Sequence, residues 1–222
     1  TTNHQSLLCF TNQGRVHEMK VYQVPETELA GKGRHFASLV KLTKDERVIS
    51  VLPIREFNEG HFIVSVTQKG YIKKTDLMAY SNIRQNGLIA LKLDDGDSLV
   101  SCNVTNGENE LILATRLGKA IRFSEKDIRP MGRSARGVTG IRFSEPEDLL
   151  IGMTVVKDNG QILSISENGY GKRTPLEDYR DQTRGGKGVY TLKVTNKTGP
   201  VVGILQVDDS DHLMVMTSSG KV

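Results

Sequence analysis

A tetrapeptide, Thr/Ser-x-x-Gly, returns five times in 222 residues: TNQG at Thr11–Gly14, TQKG at Thr67–Gly70, TRLG at Thr115–Gly118, SENG at Ser166–Gly169 and TSSG at Thr217–Gly220. Its glycines stand 56, 48, 51 and 51 residues apart. A period near 50 restricts the chain to a tandem array of supersecondary units, none of which can bury its apolar face alone.

Each tetrapeptide follows a short apolar run: SLLCF, HFIVSV, ELILA, QILSI and HLMVM. A second glycine follows at Gly33, Gly87, Gly137 and Gly188, 17 or 19 residues after the first. Behind it come HFASLV, LIALKL, VTGIRF and VYTLKV, and after a turn RVISVLPI, SLVSCNV, LLIGMTVV and PVVGILQV. With the run after the tetrapeptide, every unit offers four strand-like segments. The first pair is joined by a tight hairpin whose glycine supplies positive φ. The long connection before the second glycine leaves room for a helical turn. Thr174, Pro175 and Glu177 read as a capping box with proline at the first position, and Ser124 with Asp127 repeats the arrangement. The expectation is an all-β, propeller-like array of four-stranded antiparallel blades at about 6–55, 61–105, 109–156 and 160–208, with a partial fifth over 211–222.

Hydrophobic residues make up 37% and charged residues 25%, which fits a globular chain able to form a core. No apolar run approaches the ~20 residues of a membrane helix, and the opening TTNHQSLLCF lacks the pattern of a secretory leader. Cys9 and Cys102 have no CxxC spacing and read as two free core thiols of a reducing cytoplasm. The five histidines form no HxxxH or HExxH pair, so neither a metal nor another cofactor is expected.

The net charge of +4 is modest, but it is unevenly spread. The four segments between first and second glycines hold 17 basic against 9 acidic residues, while acids gather in the turn before the last run, as in Asp45 and Glu46, Asp94, Asp95 and Asp97, and Glu145, Glu147 and Asp148. Equivalent positions of a propeller share a face, so the long connections predict a basic stripe and the turns an acidic one. A cation repeated on every blade suits a phosphate backbone. Aromatic content is 5% with no Trp, which argues against stacking on unpaired bases and for a duplex. Tyr80 and Tyr179 read as blade packing.

The stretch QTRGGKG, Gln182–Gly188, surrounds a glycine pair with two cations and no acid. It is not a nucleotide P-loop, because Lys187 is followed by Gly188 where Ser or Thr is needed. It fits a turn that a phosphate backbone can approach closely. Together with the ~50-residue repeats, GRSARG at 132–137 and NGYGKRTP at 168–175, it resembles the C-terminal domain of DNA gyrase A. QTRGGKG is similar to that family's box, Q-[KR]-R-G-G-[KR]-G, with Thr183 where a cation is usual. The resemblance spans nearly the whole chain. It implies a β-pinwheel whose blades exchange strands, a basic rim that bends double-stranded DNA in support of negative supercoiling, and a cytoplasmic, nucleoid-associated parent complex holding the rest of gyrase A together with gyrase B. The catalytic tyrosine and the ATPase would lie outside this chain, which would itself be a non-catalytic fragment without a cofactor.

Candidate DNA contacts are Arg184 and Lys187, with Gln182, Gly185, Gly186 and Gly188 shaping the loop. Lys32, Arg84, Arg133 and Arg136 occupy the same connection in other units. A second set follows the hairpin: Lys73 and Lys74, Lys119 and Arg122, Lys172 and Arg173. Competing readings are the homologous domain of topoisomerase IV, a protein-interaction propeller and, last, a propeller enzyme.

Overall fold

The computed structural model describes residues 2–28, 31, 33–157 and 160–215. In chain order its strands are β1 (Ser6–Thr11), β2 (Arg15–Lys20), β3 (Val48–Ile54), β4 (Phe62–Thr67), β5 (Tyr71–Asp76), β6 (Leu88–Ile89), β7 (Leu99–Thr105), β8 (Glu110–Thr115), β9 (Lys119–Ser124), β10 (Val138–Thr139), β11 (Leu150–Val156), β12 (Gln161–Ser166), β13 (Gly171–Pro175), β14 (Val189–Tyr190) and β15 (Val201–Val207). They form four antiparallel sheets, ordered β3-β1-β2-β6, β7-β4-β5-β10, β11-β8-β9-β14 and β15-β12-β13. The third long strands of neighbouring blades run against one another, β3 with β7, β7 with β11 and β11 with β15, and so line the inside of the array. The opposite edge of each sheet is the outer rim.

Blade and sequence repeat are out of phase. The run after the second glycine does not pair within its own unit. Leu88–Ile89 of the second unit pairs with Arg15 and Val16 of the first blade, Val138–Thr139 with β5, and Val189–Tyr190 with β9. Only two residues of each run are strand. In the first unit the corresponding HFASLV holds a 3-10 turn, Phe36–Ser38, and packs Phe36, Leu39 and Val40 with Cys9 and Met19. The fourth sheet has three strands among the described residues. The expected fifth hairpin falls mainly on 216–222, outside the described residues, and 211–215 carries no strand.

The repeated tetrapeptide bonds one blade to the next. In TRLG the Gly118 amide donates to the Thr115 carbonyl (3.1 Å) and the Thr115 hydroxyl accepts from the Lys119 amide (3.2 Å), which closes the turn. The Gly118 carbonyl then accepts Thr191 of the arriving strand (2.9 Å), and the Arg116 carbonyl accepts Val201 of the next blade's inner strand (2.9 Å). Gly14 and Gly70 receive Ala90 and Gly140 in the same way, both at 2.8 Å. In the first three repeats the hydroxyl at the first position and the glycine at the fourth each carry such a bond, whereas the Ser166 hydroxyl of the fourth is buried without a partner.

Cores lie between blades. Leu8, Phe10 and Val16 meet Ile63, Leu77, Tyr80 and Leu99; Val64, Val66 and Ile72 meet Leu111, Leu113, Ile121 and Phe123; Ile112, Ala114 and Ala120 meet Ile162 and Tyr179. A central strand such as β8 is covered on both faces, which is why ELILA is continuously apolar and not alternating. Each such Leu or Ile contributes about 1.5–3 kcal/mol by leaving water. Tyr80 and Tyr179 are buried in these layers, Tyr80 edge-on to Phe10 with ring centroids 5.8 Å apart. Both cysteines are buried and free.

The helical turns are single 3-10 turns. Ser124 caps its turn by accepting from Lys126 N–H (3.3 Å). The expected Thr174 capping box does not form: Pro175 takes the cap position, no side chain caps, and the Thr174 hydroxyl points into the core unpaired. As the fourth residue of β13, Thr174 is the inward-facing one of that strand.

Candidate nucleic-acid interface

The connections of the second, third and fourth units each end on the preceding blade's outer strand. The QTRGGKG loop starts there, where the Gln182 amide donates to the Arg122 carbonyl (3.0 Å). Its middle crosses to the 140–142 segment: Gly185 N–H donates to the Gly140 carbonyl (2.6 Å), and the Gly186 carbonyl accepts from Arg142 N–H (2.9 Å). At Gly188, φ is +70° and a Cβ would overlap the Ala120 carbonyl, so a left-handed residue without a side chain is required. The GRSARG loop repeats the start, with Met131 N–H on the Lys74 carbonyl (2.8 Å). These loops are thus fixed to the rim by main-chain bonds, which leaves side chains free for other work.

The candidate cations divide by what holds them. Lys187, Arg84 and Lys172 are exposed, with no side-chain partner among the described residues. Arg136 is exposed but paired with Asp94 (3.0 Å) and laid over the Tyr71 ring at 4.5 Å. Arg173 is exposed and paired with Asp209 (2.6 Å). Arg133 is half-buried. The half-buried Lys119 ammonium lies 4.1 Å from the centroid of the Tyr190 ring, itself 69% exposed. Arg184 is half-buried and spends its guanidinium on the carbonyls of Asp127 (3.0 Å) and Thr139 (3.3 Å), tying its loop to the third blade. Arg122 is held by Glu110 and Asp181 and by the carbonyls of Leu176 and Tyr179. Gln182 encloses its amide nitrogen.

Two candidates are corrected. Lys73 is 0% exposed, and its ammonium donates to the carbonyls of Ala90 (2.6 Å), Gly132 (3.3 Å) and Arg133 (2.6 Å). It staples the arriving strand to the next rim loop and cannot meet a phosphate. Burial lowers its pKa to about 8, the Cys102 thiol raising it in part and Arg133 lowering it further. Lys74 is buried beside Glu125 (3.8 Å) and donates to the Glu125 carbonyl (2.9 Å). Glu125 in turn accepts from the Thr105 hydroxyl and from Gly107 and Asn109 N–H. Lys32 lies outside the described residues. Part of the acidic stripe is also internal. Asp148 is buried and accepts from Leu117 and Leu149 N–H, and Glu46 is buried against His17 (3.2 Å) and Thr43.

One recurrent cation escaped the candidates. Lys92, Arg142 and Lys193 are the centre of Leu-Lys-Leu, Ile-Arg-Phe and Leu-Lys-Val, just after each exchanged strand, and all are exposed. Their place between two apolar residues, five after the second glycine in three units, was the available signal. No group of three or more His, Cys, Asp and Glu suited to a metal occurs among the described residues. The rim is a set of separated cations with small residues between them, suited to an extended polyanion.

A family model described as the DNA gyrase C-terminal domain, beta-propeller, matches residues 5–55, 61–106, 109–157 and 160–208. The chain is 43% identical over 217 residues to the DNA gyrase A protein of Escherichia coli strain K12 and 46% identical over 220 residues to that of Clostridium acetobutylicum. The alignments cover 98% and 99% of this chain but only 25% and 26% of those relatives, so it spans about a quarter of their length. The solved C-terminal domain of DNA topoisomerase IV superposes with a TM-score of 0.85 at 28% identity, covering 95% of this chain and 66% of that one. A DNA gyrase A C-terminal domain superposes at 0.80 and 26%, covering 94% and 68%.

Proposed function

The chain belongs to the DNA gyrase C-terminal β-propeller family, and from that premise we propose that it is a non-catalytic module that binds double-stranded DNA along its outer rim and bends it. In a parent gyrase A working with gyrase B, the bent segment would be presented for strand passage and so support negative supercoiling. The observation that carries this reading is the main-chain anchoring of the GRSARG and QTRGGKG loops, which sets exposed Arg136 and Lys187 on successive connections, with Arg84 exposed on the connection before them. Charges repeated at blade spacing, without base-reading aromatics, serve a phosphate backbone.

The test is affinity for duplexes of increasing length at several salt concentrations. About six rim cations on phosphate give a slope of log K against log[salt] of about −5. Bending costs up to ~10 kcal/mol for a sharp bend, so affinity must rise with length until several blades are engaged. A slope near −2 without length dependence would replace this reading by a protein-interaction propeller.

A further inference from the structure

The cation after each exchanged strand has its direction imposed by its neighbours. Leu91 and Leu93 lie against Gly14, Ile141 and Phe143 against Gly70, and Leu192 and Val194 against Gly118. Leu91, Ile141 and Leu192 are buried and Leu93, Phe143 and Val194 half-buried, while Lys92, Arg142 and Lys193 between them face solvent, and none has a side-chain partner among the described residues.

Main-chain bonds bring two of them beside the following unit's loop. Arg142 N–H donates to Gly186 (2.9 Å) and Lys92 N–H to Ala135 (3.4 Å). Gly186 and Ala135 hold the same place, immediately before Lys187 and Arg136 and two before the final glycine. Two cations from successive units are thereby set on one stretch of rim, Arg142 with Lys187 and Lys92 with Arg136.

We propose that these pairs are composite phosphate sites, in which Arg142 completes the QTRGGKG loop and Lys92 the GRSARG loop. The inference rests on duplex binding by the rim. Arg142 and Lys187 carry no neutralising acid, Gly185 and Gly186 present no side chain to hold a backbone away, and the guanidinium fork matches phosphate oxygens. The two sites are unequal, because Asp94 already pairs with Arg136.

The test measures duplex affinity against salt for the wild-type chain, Arg142→Gln, Arg142→Lys, Lys187→Ala and the double variant Arg142→Gln/Lys187→Ala. Lys44→Gln removes one exposed charge from the 43–46 turn as a control. Each neutralising rim variant should make the salt slope shallower by about 0.9 and weaken binding several-fold at low salt, the double variant by about 1.8, with Arg142→Lys keeping the slope and all melting temperatures unchanged. Arg142→Gln binding as the wild type does, or Lys44→Gln weakening it equally, overturns the composite site. A wild-type chain that fails to bind duplex overturns the rim reading itself, which is a separate result.

Discussion

Gly118 and Leu192 meet backbone to backbone: the leucine amide stands 3.4 Å from the glycine carbonyl, and a Cβ on Gly118 would overlap the leucine carbonyl oxygen. Gly169, at the equivalent turn, has φ +79° but open space around its Cβ direction. Gly118→Ala should therefore cost about 2–4 kcal/mol, combining left-handed strain with displacement of the exchanged strand, while Gly169→Ala should cost about 1–2 kcal/mol from strain alone. Urea denaturation of both variants checks this. Equal losses would mean that strand exchange adds nothing to the turn's demand for glycine.

Arg184 and Lys187 should separate in their effects. Arg184→Ala removes a guanidinium from the carbonyls of Asp127 and Thr139 and should lower stability by about 1–2 kcal/mol. Lys187→Ala removes an unpartnered surface cation and should leave the melting temperature unchanged while weakening duplex binding. Thermal denaturation and fluorescence anisotropy on the two single variants decide it. A stability loss at Lys187 would make that residue structural too.

Lys73 titrates near pH 8 when folded against an ordinary 10.5. Between those values the unfolded chain binds more protons, so this group's contribution to stability rises with pH across the window. The difference in unfolding free energy between the wild-type chain and Lys73→Met should shift by about 1.4 kcal/mol in the wild type's favour between pH 7 and pH 9. A difference independent of pH would show that the ammonium keeps its proton throughout.

Glu46 behaves oppositely. Burial pushes its carboxyl up, but the Thr43 N–H, the Thr11 hydroxyl, His17 and the Thr43 hydroxyl outweigh this and hold it at about 2 against 4.5. Its stabilisation is complete above pH 4.5 and is lost as pH falls towards 2, about 3 kcal/mol in all. Glu46→Gln should be less stable at pH 7 and should show a flatter acid limb in denaturation series from pH 6 to 2. An unchanged limb would assign acid unfolding to other carboxylates.

The parts legible in the sequence are those where backbone geometry dictates residue type. Thr115 and Gly118 recur at the first three turns because the hydroxyl closes the turn on the Lys119 amide and the left-handed glycine leaves its carbonyl open to the arriving strand. Strand exchange was not legible from the residues alone, since LIALKL and VYTLKV look the same whether they pair with their own blade or the preceding one. Cation fate was legible only in part. Lys73 and Lys172 share a hairpin context, yet one lies under a rim loop and the other faces solvent, because burial there depends on the loop of the following unit. Arg142 was hidden by the apolar residues on either side of it, which also aim it outward.

Because Val189–Tyr190 completes a sheet whose other strands end at Val156, a ribosome must finish most of another unit before the third blade can close. At roughly 5–20 residues per second that is a delay of a few seconds. Folding during translation would advance as a front lagging one unit behind synthesis, always with one unpaired strand edge exposed. A paused nascent chain would present that edge to its neighbours, which makes the interval between units the point of greatest exposure to aggregation.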